Sequence, residues 1–259
     1  MIVAVATQKG GSAKTTTVVN LGAALAASGR RTLIMDLDGQ GHASYWLLGT
    51  EGRHRGPFVH DWLEGRAAAD DVVRATHWSH LDVVPANLAI NALRDQLEAA
   101  RRASARRLLA ERLRGLRDRY SWILLDCPAG LNALAVNALV AAEGVLIPVA
   151  PPEPLALDGA LHLLQTVERI TQATPPGPRL LGVLVANTQP RRAAERRHVD
   201  RLRARGLPIL ASQIPTSARV ATAAAAHRPL VAHAPSSPAA AAYRELAAEL
   251  SILVERHAA

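Results

Sequence analysis

The chain has 259 residues, 49% of them apolar and only 3% aromatic, enough to bury one large α/β core packed from Ala, Leu and Val. A single cysteine excludes an intrachain disulfide framework and a self-contained cysteine metal cluster, and no stretch reads as a signal peptide or a transmembrane helix, so a soluble cytoplasmic protein is expected. A formal net charge of +8 and a pI near 10.8 favour a polyanionic partner without distinguishing DNA from RNA or an anionic membrane.

Ile2-Val3-Ala4-Val5-Ala6 reads as a short buried strand. It runs into Thr7-Gln8-Lys9-Gly10-Gly11-Ser12-Ala13-Lys14-Thr15-Thr16-Thr17 and then into a helical pattern over 18–28. Thr32-Leu33-Ile34-Met35 is a second strand, with Asp36 and Asp38 at its end. Strand, glycine turn, helix, strand, acid is the order in which an α/β protein builds a phosphate and magnesium site. Gly10 and Gly11 let the backbone close round a phosphate, and the helix beginning near Lys14 adds unpaired N–H groups and the positive end of its dipole. Lys14 can reach β/γ oxygens, and Thr15 can ligate magnesium. The simple loop pattern asks for glycine at positions 8 and 13, where Gln8 and Ala13 stand, so the match is imperfect.

Lys9 and Lys14 are the only lysines; every other residue of the Lys/Arg class is arginine. Two lysines retained in one loop point to a need for a compact ammonium, with chance retention the alternative.

Further along, 51–80 is harder to place: Trp46, Phe58, Trp62 and Trp78 are expected to form a local core, with 61–74 partly helical. Leu81-Asp82-Val83-Val84 reads as a strand. Residues 89–116 have a long helical pattern, whose Arg101, Arg102, Arg106 and Arg107 read as a solvated face or, alternatively, a nucleic-acid contact. Trp122-Ile123-Leu124-Leu125 marks a buried strand that carries Asp126 at its carboxyl end, where a parallel sheet collects ligands. A helix over 131–142, a strand over 145–149, a rigid proline loop over 151–154 and a helix over 155–170 follow. Strands are expected over 180–186, ending at Asn187, and over 207–211, and a closing helix over 239–251. Arginines at 191, 192, 196, 197, 201, 203 and 205 cluster on or near one helix.

Lys9-Gly10-Gly11-Ser12-Ala13-Lys14-Thr15 satisfies KGGxxKT, and nearly the whole chain resembles the ParA/MinD superfamily of deviant Walker-A ATPases, most nearly its short, Soj-like partition branch. Asp36-Leu37-Asp38-Gly39-Gln40 is similar to the family's DxDPQ, with Gly39 in place of proline and a turn expected to be freer for it. Asp126-Cys127-Pro128-Ala129 resembles DxPP, and Tyr243-Arg244-Glu245-Leu246 the family's closing helix. The resemblance implies one P-loop NTPase domain over 1–259, a mostly parallel central β-sheet flanked by helices as in ParA, MinD and nitrogenase reductase, with no helix-turn-helix extension before it. It implies ATP and Mg2+ as ligands, with Gly10, Gly11, Ser12, Ala13, Lys14, Thr15 and Thr16 around the phosphates. Thr15, Asp36 and Asp126 would serve the metal, and Asp38 the attacking water. Lys9 would cross to the nucleotide of a second protomer in an ATP-bound sandwich homodimer. Asn187 would read the adenine edge and Pro215 close over the base; Asn187 as a plain turn residue is the alternative. Arg191 and Arg219 would contact non-specific double-stranded DNA, or be merely solvated.

The leading function is a DNA-partition or cargo-positioning ATPase, nucleoid-associated, whose slow hydrolysis is stimulated by a ParB-like or cargo adaptor. The closing helix lacks the strong basic and bulky apolar faces of a membrane anchor, so no stable membrane association is expected. A nucleotide-gated scaffold or regulator with weak ATPase, and a metabolic P-loop ligase or kinase, are the alternatives.

Overall fold

The computed structural model describes residues 1–100, 104–150, 154–189 and 193–258. Eight strands form one sheet: β1 (Ile2–Val5), β2 (Thr32–Asp36), β3 (Arg74–Ala75), β4 (Leu81–Val84), β5 (Trp122–Asp126), β6 (Gly144–Val149), β7 (Arg179–Thr188) and β8 (Ile209–Pro215). Their order is β3-β4-β2-β5-β1-β6-β7-β8, and every neighbouring pair is parallel except β3 with β4. The central strands are buried residue by residue, which is why they read as unbroken apolar runs. Successive side chains point to opposite faces. Leu33, Met35, Ile123 and Leu125 join one core, and Ile34, Trp122 and Leu124 the other.

Helices cover both faces. α1 (Lys14–Ala27), α2 (His42–Leu48), α11 (Arg219–Ala225), α12 (Leu230–His233) and α13 (Pro238–Ala258) contribute to the second core. α4 (Val59–Leu63), α5 (Ala69–Val72), α6 (Ile90–Ala100), α7 (Leu108–Leu113), α8 (Ala133–Ala141), α9 (Pro154–Ala173) and α10 (Ala193–Ala204) contribute to the first, and the short α3 (Glu51–His54) links α2 to α4. From β1 the chain crosses over β5 to reach β2, returns to β5, and continues on the far side of β1 as β6. The strand order therefore reverses at β1, and the crevice beyond its carboxyl end is where such sheets hold ligands.

Several expectations are corrected. Residues 89–116 are not one α-helix: α6 is described over Ile90–Ala100, Ser104–Arg107 is a 3-10 turn, and α7 starts at Leu108. The Asn137 side chain of α8 donates to the Ala105 carbonyl at 2.9 Å and accepts from the Leu109 N–H at 3.3 Å, so a distant side chain caps the second segment. Arg106 and Arg107 are exposed, while Arg101 and Arg102 lie outside the described residues. The four aromatics form no single core: Trp62 packs on one face of the sheet, Trp46 and Trp78 on the other. The last strand runs over Ile209–Pro215 rather than 207–211, β7 continues to Thr188, and the final helix extends to Ala258. Residues 151–153 of the expected proline loop lie outside the described residues. β8 forms a sheet edge, and there Glu249 of α13 accepts from the N–H groups of Ala211 (2.8 Å) and Ser212 (2.9 Å).

Candidate functional site

The loop between β1 and α1 is braced from within. Thr7 Oγ1 accepts from the Lys9 N–H at 3.0 Å and lies 2.8 Å from Ser12 Oγ, which donates to the Lys9 carbonyl at 2.6 Å. Gly11 has φ +78°, a conformation that suits glycine, and a Cβ built on Gly10 or Gly11 meets nothing within 4 Å, so the concave face of the loop has room for an anion. Ala13 is the N-cap of α1, in the left-handed region (φ 65°, ψ 24°), and has no polar side chain with which to cap it. The leading N–H groups of α1 are thus left to an external acceptor. Lys14 is 7% exposed, its Nζ donating to the Lys9 carbonyl at 3.5 Å, and Lys9 itself lies on the exposed outer side of the loop.

Two carboxylates stand side by side at the carboxyl edge of the neighbouring strands, since Asp36 of β2 is the register partner of Asp126 of β5. They differ in how they are held. Asp36 accepts from the Asp38 N–H (3.1 Å), the Ser44 N–H (2.9 Å) and Ser44 Oγ (2.6 Å), and Ser44 Oγ in turn accepts from the Ala86 N–H at 2.9 Å. Burial pushes its pKa up to about 6 against the pull of the Ser44 bonds. Asp126 is fully buried, and among the described residues neither of its oxygens closes a hydrogen bond, although the Thr15 side chain stands near enough to favour its charge. Burial and the adjacent Asp36 hold its pKa well above the usual carboxylate range, while Thr15 and Lys14 favour the charged form. A buried carboxylate with both oxygens orphaned beside Thr15 and a lysine is the donor set a magnesium ion suits. Asp36, already satisfied by donors, is better placed to orient that site than to ligate directly.

Asp38 is half-buried, and its Oδ1 accepts from the Gln40 N–H at 3.0 Å, so it caps its own turn. The φ of Gly39 lies outside the left-handed region, and the Asn91 side chain sits 2.9 Å from where a Cβ would be. Cys127 is buried, and burial drives its thiol far above the ordinary value, consistent with a structural place. On the other side of β1, Asn187 (φ 57°, exposed) and Pro215 end adjacent strands, Thr188 pairing with Pro215. The acids therefore flank the loop on one side of the sheet, and the candidate base contacts lie on the other. Arg219 is exposed at the start of α11, while Arg191 lies outside the described residues.

Sequence reasoning passed over Thr7 and Ser44. Both act by hydroxyl bonds that exist only once the chain has returned on itself; the nearest signal for Ser44 was its position just after the Asp36–Gln40 turn.

Sheet order, glycine loop and orphaned acid together define a P-loop nucleoside triphosphatase. A family model described as an AAA domain matches residues 1–177, and the solved structure of cobyrinic acid a,c-diamide synthase from Mycobacterium smegmatis with bound ADP and magnesium matches with TM-score 0.82 and 32% identity, over 95% of this chain and 92% of that one. The chain is 39% identical over 254 residues to the chromosome-partitioning ATPase Soj of Thermus thermophilus (98% of this chain, 96% of that protein), and 35% identical over 252 residues to the chromosome partitioning protein ParA of Caulobacter vibrioides (96% and 93%). It belongs to the ParA/MinD superfamily of deviant Walker-A ATPases, with the Soj-like partition ATPases.

Proposed function

We propose that this chain is a DNA-partition or cargo-positioning ATPase of the cytoplasm, working on the nucleoid as an ATP-bound homodimer. The observation that carries the reading is the two-lysine loop set beside the orphaned Asp126, in a chain whose relatives are named for chromosome partitioning. The N–H groups of Gly10, Gly11, Ser12, Ala13, Thr15 and Thr16 receive the phosphates, and the Lys14 ammonium leaves the Lys9 carbonyl for the β/γ oxygens. Thr15 and Asp126 would hold magnesium, and Ser44 keeps Asp36 oriented beside them. Magnesium, when bound, draws charge off the phosphate oxygens. Asp38 orients the attacking water, and Lys9 reaches the partner protomer's nucleotide. Asn187 and Pro215 line the base.

The dimer holds double-stranded DNA through Arg191 and Arg219, guanidinium groups that bind phosphates without reading bases, and a ParB-like or cargo adaptor stimulates hydrolysis and release. Among the described residues no helix is long and apolar enough to cross a membrane.

Nucleotide titration with phosphate release tests the chemistry. Lys14→Ala is expected to abolish productive ATP binding, whereas Asp38→Ala keeps binding and lowers turnover about 100-fold or more. Unchanged magnesium-dependent turnover in either variant removes that residue from its role. The likeness to a diamide synthase favours a second reading, a ligase that activates a carboxylate with ATP. Turnover that requires an added small carboxylic acid, and is indifferent to DNA, would select it.

A further inference from the structure

The loop that follows α11 is gripped by both helices that start at the nucleotide site. The indole Nε1 of Trp46 donates to the Arg228 carbonyl at 2.9 Å, and His227 Nδ1 lies 2.9 Å from the Tyr45 carbonyl, with the two rings edge to face at 4.7 Å. Tyr45 and Trp46 directly follow Ser44, which holds Asp36. From α1, the fully buried Asn20 accepts from the Leu230 N–H at 2.6 Å while donating to the carbonyl of Thr16, in the first turn of the phosphate-loop helix. The gripped residues in turn close α11, His227 N–H donating to Ala224 O (3.0 Å) and Arg228 N–H to Ala223 O (2.9 Å). Arg219 stands at the other end of that seven-residue helix.

We propose that residues 226–230 are the strap by which the nucleotide site sets the position of α11, with Trp46, His227 and Asn20 as positioning residues. α1 starts at Lys14, directly after the glycine loop, and α2 at His42, directly after the 36–40 turn, so both helices lead out of segments that border the nucleotide site. Any shift of either helix is carried through a hydrogen bond to the end of α11 and so to the Arg219 surface. Two grips from separate helices make the strap sensitive to their relative position, which one bond alone would not. The strap deepens the DNA reading above and, where Arg219 is concerned, rests on it.

His227 has φ 54°, so His227→Gly removes the ring contacts while the backbone keeps its shape, and His227→Asn retains both a donor and tolerance of that conformation. Trp46→Phe removes the indole N–H from the second contact. Two readouts separate the strap from the DNA reading: hydrogen exchange of the amides at 219–230 with and without Mg-ATP, and DNA affinity by anisotropy in ATP and in ADP. In the parent, Mg-ATP is expected to change exchange across 219–230. His227→Gly and Trp46→Phe should bind ATP normally, lose that change, and cut the ATP-to-ADP ratio of DNA affinities at least about fivefold, the lower end of ordinary coupling between sites. His227→Asn should restore most of it. Exchange at 219–230 that ignores ATP in the parent, or responds equally in the variants, overturns the strap. A parent whose exchange responds but which binds no DNA keeps the strap and sinks the DNA reading.

Discussion

Ser44 is the side chain on which the acid end of β2 depends. Ser44→Ala would leave the Ala86 N–H without its acceptor and take the shortest donor from a fully buried Asp36. The expected loss of stability is about 2–3 kcal/mol. Its sign with pH follows from the folded pKa of about 6, raised by burial above the ordinary carboxylate value of 3.8. The neutral form is favoured on folding, so this group's contribution is greatest below the unfolded value and is lost as pH rises through about 6. The lost Ser44 hydroxyl bond favoured the charged form, while the residue-44 N–H still donates, so the gap between variant and parent should widen from about pH 5 to about pH 7.5. Urea unfolding at both values checks it; a gap that narrows refutes it. The places of Lys14 at the start of α1, and of Asp36 and Asp126 at strand ends, were legible in the sequence because a glycine turn and an apolar run that ends in an acid are local patterns. Ser44 and Thr7 were not, since nothing local assigns their hydroxyls a partner, and the pairing of Asp36 with Asp126 needed the strand order.

Among elements, the buried parallel strands were the clearest to read, because burial on both faces leaves an unbroken apolar run. The 89–116 stretch misled for a physical reason. Leu97 and Leu108 stand eleven residues apart, close to three helical turns, so the apolar phase survives a break that periodicity cannot see. The edge strand was similarly misjudged, its length being set by pairing with β7 and by Glu249 rather than by its own pattern. That carboxylate satisfies two successive N–H groups where the β7–β8 register slips between Ile209 and Gln213 and the ladder leaves them out. Glu249→Ala should cost about 1 kcal/mol, read by urea unfolding. A variant as stable as the parent would show that the irregular stretch holds without it.

At the scale of the molecule, the fold gathers the glycine loop, the two acids and the ends of β7 and β8 along the carboxyl edge of the sheet, with Lys9 exposed in the loop. Wild type should dimerise with a non-hydrolysable ATP analogue and magnesium and be largely monomeric with ADP. Lys9→Ala should fail to dimerise, and normal dimerisation and hydrolysis in that variant would end the cross-subunit role. The dimer should bind unrelated duplexes alike, more weakly as salt rises. Arg219→Glu, removing one phosphate contact per protomer, should lower the logarithmic salt slope by about 2 while sparing nucleotide binding. A preference for one short duplex would count against the surface.

The confinement of lysine to positions 9 and 14 also makes the protein a chemically addressable object. An amine-directed acylating reagent finds its side-chain targets only in the phosphate loop, exposed Lys9 first and buried Lys14 much later. A lysine-specific protease cuts the unacylated chain after residues 9 and 14, into 1–9, 10–14 and 15–259, and acylation of either lysine blocks its cut, so intact mass and one peptide map give the state of each ammonium. Mg-ATP should slow acylation at both positions, and arginine-rich surfaces elsewhere, DNA-bound or bare, should leave the adduct count unchanged.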